Sequence, residues 1–167
     1  MVSELYFLND LSYVPATLLD DMLNFIRNNL PQQPDHDALT FKTKFILTEL
    51  ITNAVKHTPN DSSSLQIRME DDGIRIIKTD TGNPLNFKLK AAPSDSVIAS
   101  DFLHTLYVKN KDEQLHFYCV ENHNSLAADD NLPEHFGLLI ITKSSDTFYY
   151  HHNKTTGVNT FNVFVAY

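Results

Sequence analysis

Within TELITNAVKHTPND, residues 48–61, a carboxylate and a carboxamide stand four positions apart at Glu49 and Asn53, with Lys56 and His57 just behind. At about 100° per residue, Glu49, Asn53 and Lys56 fall on one narrow stripe of a helix, and Leu47, Leu50, Ile51 and Ala54 fall on the other side. A Glu and an Asn so spaced are more often part of a solvated helix face than of a site. Against that reading, Asn is a weak helix former that prefers caps, yet Thr52 and Asn53 sit together well inside the pattern. An amide oxygen and a carboxylate one turn apart suit a hard cation such as Mg²⁺, which takes oxygen ligands and keeps several waters. The carboxylate could then orient or deprotonate a hydroxyl attacking a phosphoryl group. Such chemistry requires phosphate and base sites elsewhere in the chain.

The elements that must position these residues can be read from composition, period and breakers. At 167 residues the chain fits one domain, and 42% hydrophobic with 11% aromatic residues marks a globular chain rather than a disordered one. A formal charge of −8 argues against a nucleic-acid partner. A lone Cys119 excludes an internal disulfide and suits a reducing cytosol. No apolar run approaches the roughly 20 residues of a membrane span, and MVSELYFLND lacks a basic leader ahead of an apolar core. A soluble, cytoplasmic protein without membrane contact is expected.

ELYFLN reads as a short strand, residues 14–30 as a helix ended by Pro31, and a second helix is predicted from about Ala38 to His57, ended by Pro59 with Asn60 and Asp61 as turn residues. SLQIRME and GIRIIKTD form a hairpin with its turn at Asp72-Gly73. VIASDFLHTLYVKN is expected to be helical in part, EQLHFYCVEN a strand, and FGLLIITKSS a buried helix start or a strand. DTFYYHHN and VNTFNVFVAY close the chain as a hairpin around KTTG. The order predicts an α+β two-layer sandwich, with helices on one face of a mostly antiparallel, mixed sheet.

ELITNAVKH, residues 49–57, resembles the Glu-x-x-x-Asn helix of the histidine-kinase-like ATPase superfamily, which embraces gyrase, chaperone, histidine-kinase and mismatch-repair ATPases. It is most similar to the anti-sigma-factor serine/threonine kinases. The resemblance implies that Glu49 is the catalytic base and Asn53 the Mg²⁺ ligand. It also implies that Asp80, in TDTGNP with Gly82, accepts a hydrogen bond from the adenine amino group. HFGLLIITK places Gly137 and Leu138 where the family's phosphate lid enters a helix, with free N–H groups to receive phosphates. The final hairpin, with Gly-x-Asn-Thr opening its second strand, resembles that of the anti-sigma branch, which implies that Thr160 lies near Asp80 and the adenine. Lys56 and His57 are further phosphate candidates; alternatively Lys56 is a surface charge, and His57 caps the helix end, where a cation is favoured.

The chain departs from the family at Pro84 and His135, which replace glycines, and at residues 88–135, a long glycine-free stretch in place of a short lid. Two functions from different classes follow. One is an ATP- and Mg²⁺-dependent regulator that transfers the γ-phosphoryl group to a hydroxyl on a partner protein, a sigma factor or an anti-anti-sigma-like protein, with a homodimer as a further option. The other is a degenerate member that sequesters a regulator and binds nucleotide weakly or not at all. Of the other constellations, His151 and His152 should point to opposite faces of a strand, which disfavours a zinc site, and Cys119 should pack as a small hydrophobe rather than act as a nucleophile.

Overall fold

Strict alternation of buried and half-buried residues runs through Ser63–Met69 and again through most of Gly73–Asp80. These two segments pair antiparallel, from Ser63 opposite Asp80 to Met69 opposite Ile74. In this computed structural model, which describes residues 1–8, 17–31, 35–57, 62–87, 95–122 and 135–167, they are β2 and β3 of one sheet. Chain order is β1 (Val2–Phe7), α1 (Leu18–Asn29), α2 (His36–His57), β2, β3, β4 (Ser96–Ser100), β5 (His104–Lys111), β6 (Gln114–Glu121), α3 (Phe136–Lys143), β7 (Thr147–Asn153) and β8 (Val158–Ala166).

The eight strands lie in the order β1-β2-β3-β8-β7-β6-β5-β4, and every ladder is antiparallel. The expected α+β class is observed, without the parallel component that a mixed sheet requires. The physical reason is connectivity: parallel neighbours need a crossover, whereas β4 to β8 follow one another as a meander whose only helical connection, through α3, still returns antiparallel.

α1 packs on β2, α2 on β8, and α3 across β4 to β7. One apolar cluster joins Met22 and Ile26 of α1, Ile46, Leu47 and Leu50 of α2 and Ile141 of α3 to Leu65, Ile67, Ile74, Ile76, Leu106, Val163 and Val165 of the sheet. Fully burying each Leu or Ile contributes about 1.5–3 kcal/mol, which is what holds helices and sheet together. The opposite face of the sheet carries Arg75, paired to both carboxylate oxygens of Glu70 at 2.7 and 2.9 Å, and the stacked rings of Tyr107 with Tyr118 and His116 with Tyr149.

α1 ends as anticipated: Leu30 is extended, as a residue before proline prefers. The stop signals at 59–61, and residues 88–94 and 123–134 of the glycine-free stretch, lie outside the described residues. Residues 96–111 form two strands rather than a partial helix. A register shift between Val97 and Ala99 buries Ile98 and Ala99 side by side and breaks the period of two, and Asp101 then turns the chain by accepting from the N–H groups of Leu103 and His104 at 2.7 and 2.6 Å.

Gly73 opens β3 rather than occupying the turn, which closes through the Glu70 N–H to the Gly73 carbonyl at 2.8 Å. A Cβ there would stand 2.4 Å from the Val165 carbonyl oxygen and 2.5 Å from the Phe164 ring. Gly73→Ala should therefore destabilise the fold by about 1–3 kcal/mol in urea unfolding, as overpacking does; an unchanged midpoint would show that β8 yields freely.

Candidate functional site

α2 buries Leu39, Thr43, Ile46, Leu47, Leu50, Ile51 and Ala54 toward the sheet, which leaves Glu49 and Asn53 half-buried along its flank. That flank meets the first turn of α3. The Oε2 atom of Glu49 lies 2.7 Å, and both amide atoms of Asn53 lie 3.6 Å, from where a Cβ on Gly137 would stand. A side chain at 137 would therefore press on the Glu49 carboxylate, the far end of a flexible side chain. Next to this contact is a cavity of about 300 Å³, whose lining includes Asn53, His57, Asp80, Gly137, Leu138 and Lys78. Its size is at the small end of the range for ligand sites, roughly 300–1,000 Å³.

Asn53, His57, Asp80, Gly137 and Leu138 therefore come together from α2, β3 and α3. Glu49 stands behind Gly137 rather than in the wall. Lys56 is exposed and outside the lining, whereas His57, one full stripe position beyond Asn53, faces the cavity. Gly82 is buried beneath Asp80: its N–H donates to Asp80 Oδ1 at 3.1 Å and its carbonyl accepts from Asn159 Nδ2 at 2.8 Å. Thr160 pairs with Thr79 and His151 and is not in the lining, because inward positions of β8 are Asn159, Phe161, Val163 and Val165.

Two buried residues that bond Asp80 escaped sequence reasoning. Asn159 is 1% exposed and bonds four groups: its Nδ2 donates to Asp80 Oδ1 at 2.7 Å and to the Gly82 carbonyl, and its Oδ1 accepts from the Tyr150 hydroxyl at 2.6 Å and from His152 Nδ1 at 2.9 Å. The Tyr150 hydroxyl in turn accepts from the Leu85 N–H at 3.0 Å, which ties the segment after Gly82 to β7. Lys78 is 2% exposed, donates to Asp80 Oδ2, and lies 4.6 Å from the centroid of the Phe161 ring. Burial pulls its ammonium below the ordinary lysine range, and Asp80 partly opposes this. The signal was available: a lysine at an inward position of a strand, two residues before Asp80, is a polar interruption of an apolar face.

Around the mouth, His135 is held below its usual range, first by burial and then by the charge of His57. His152 bonds Asn159 while His151 approaches the Glu113 carbonyl at 3.4 Å, so the two rings face different partners. Among the described residues no group of three His, Cys, Asp or Glu side chains could hold a metal. Cys119 packs against the core, and burial pushes its thiol up to about 11, far from a reactive thiolate.

Mg²⁺ usually takes one or two protein oxygens together with substrate phosphates, so the amide of Asn53 beside the carboxylate of Glu49 fits as a donor set. Asp80 is more occupied than a lone base-reading carboxylate, since Lys78, Asn159 and Gly82 already donate to it. Gly137→Ala should cost little stability, since the clashing atom ends a flexible side chain and alanine favours helix. It should nevertheless swing the Glu49 carboxylate away from α3, giving a Tm within about 2–4 °C of the parent with reduced ligand response; a large loss of Tm would mean Glu49 cannot move.

A scan against protein-family models returns no match to this chain, and a search of curated proteins finds no relative.

Proposed function

We propose that the cavity over Asp80 binds the base end of ATP, and that the chain acts as a nucleotide-dependent regulator resembling the anti-sigma-factor serine kinases. The observation that carries this reading is convergence. Asn53, Asp80, Gly137 and Leu138 belong to three separate motifs and share one cavity, with Glu49 against Gly137. Asp80 would accept from the adenine amino group, and the N–H of Gly137, at the start of α3, would face the phosphates, since the Leu138 N–H already donates to the His135 carbonyl at 3.1 Å. Asn53 would hold Mg²⁺, which when bound neutralises phosphate charge. Glu49 would accept the proton of a partner hydroxyl as its oxygen bonds to the γ-phosphorus and the bond to ADP breaks. The partner would be a regulatory protein, a sigma factor or an anti-anti-sigma-like protein.

One feature favours the second reading, a sequestering module without turnover: Lys78 and Asn159 saturate much of the Asp80 carboxylate from within. Thermal-shift titration with Mg-ATP and Mg-ADP separates the two. Ligand at a hundred times its dissociation constant stabilises by about 2.7 kcal/mol. A rise in Tm with either nucleotide supports the first reading, and no shift at millimolar concentrations supports the second. If ATP binds, Glu49→Ala should still bind it yet fail to consume it; equal consumption by parent and variant would remove Glu49 as the base.

A further inference from the structure

The floor of the cavity is a charge pair, not a single carboxylate. Lys78 and Asp80 occupy successive inward positions of β3, both line the cavity, and both are nearly inaccessible to bulk solvent. The four-carbon stem of Lys78 runs through the core, and its ammonium is pinned between Asp80 Oδ2 and the face of Phe161. An ammonium has three hydrogens to donate. One goes to Asp80 and the aromatic face attracts the charge, and among the described residues no other acceptor is hydrogen-bonded to Nζ. Asp80 Oδ1 is filled by Asn159 and Gly82, while Oδ2 receives only Lys78. A carboxylate oxygen accepts two hydrogen bonds, so an open donor and an open acceptor stand side by side on the floor.

A buried ion pair contributes little net stability compared with apolar residues of the same volume, so stability alone gives no reason for a lysine here. A paired donor and acceptor is, however, the complement of a heterocycle edge that carries an acceptor next to a donor. Adenine presents this order, its N1 acceptor beside the 6-amino donor, whereas guanine exchanges the two roles, with an N1–H donor beside the O6 acceptor. A carboxylate alone would attract the amino group of adenine and repel O6 of guanine.

We propose that Lys78 and Asp80 together read the edge of adenine, Lys78 donating to N1 and Asp80 accepting from the 6-amino group, so that the pair selects adenine over guanine nucleotides. This rests on the nucleotide reading of the same cavity and goes beyond it by making Lys78 a specificity-determining residue.

Binding of Mg-ATP, Mg-GTP and the Mg complex of 1-deazaadenosine triphosphate, which lacks the N1 acceptor, tests it by calorimetry on the full chain and on Lys78→Met. The parent should bind ATP at least about tenfold more tightly than GTP, and the 1-deaza analogue about tenfold to a hundredfold more weakly than ATP, the size of a lost charged hydrogen bond. In Lys78→Met the 1-deaza penalty should vanish. The analogue series on the parent alone decides the matter if that variant does not fold. Equal binding of ATP and the 1-deaza analogue by the parent would overturn the role of Lys78 while leaving ATP binding intact, and GTP binding as tight as ATP would overturn the selection of adenine. If none of the three binds, the nucleotide reading and this inference fall together.

Discussion

Asp80→Asn should lower the unfolding free energy by about 3–5 kcal/mol, the cost of leaving a buried charge without its partner. The reason is Lys78: its ammonium is buried and its hydrogen-bonded counter-charge is Asp80. Combining Lys78→Met with Asp80→Asn should recover most of the loss, since an apolar side chain of similar length can replace the buried cation. The pH dependence has a definite sign. Burial holds the folded pKa of Lys78 below its ordinary 10.5, and removing Asp80 takes away the interactions that raise it. Between the lowered folded value and the unfolded one, the unfolded chain binds more protons, so stability rises with pH. The Asp80→Asn deficit should therefore be greatest at neutral pH and shrink as pH climbs toward 10.5. Urea titrations of the single and double variants at several pH values measure it; a double variant as weak as Asp80→Asn, or a deficit independent of pH, would contradict the pairing.

Asn159→Ala should cost about 3 kcal/mol or more, because it strands several buried partners at once. Asp80 Oδ1, the Gly82 carbonyl, the Tyr150 hydroxyl and His152 each lose a hydrogen bond in an environment that water does not freely reach. Thr160→Ala, one residue along the same strand, should change stability by less than about 1 kcal/mol, as for half-buried sheet positions. Calorimetric melting of the two variants compares them directly. A larger effect at Thr160 would mean that the inward face of β8 has been placed on the wrong parity.

That parity decides which residue of the final hairpin stands opposite Asp80. The GVNT segment identified the right turn and strand: Gly157 takes the left-handed conformation, φ 69°, and β8 begins at Val158. Which of Asn159 and Thr160 faces Asp80 depends on the register with β3, where Asn159 stands opposite Asp80. A slip of one residue exchanges the faces. Local sequence contains no record of that register.

The two strands within residues 96–111 were hidden for a related reason. A bulge at Ile98 interrupts alternation, and the β5–β6 turn uses Asp112 and Glu113 at φ 52° and 62° instead of the glycine or asparagine that such turns favour. The pairing that holds these residues in place comes from their neighbours in the sheet, not from their own propensities.

Local chemistry settled much on its own. Helical periodicity and the proline after Leu30 set out α1 and α2, alternation set out β2, β3, β6 and β8, and apolar content with few breakers made an α+β domain the natural expectation. The spacing of Glu49 and Asn53 placed both on one flank of α2. Only tertiary structure decided what that flank meets, that Gly137 lies against the Glu49 carboxylate, and that Lys78 shares the cavity floor with Asp80. Periodicity acts over a few residues and is written in the chain, whereas a cavity is assembled by contacts between β3, β8, α2 and α3, whose distances in sequence leave no local pattern to read.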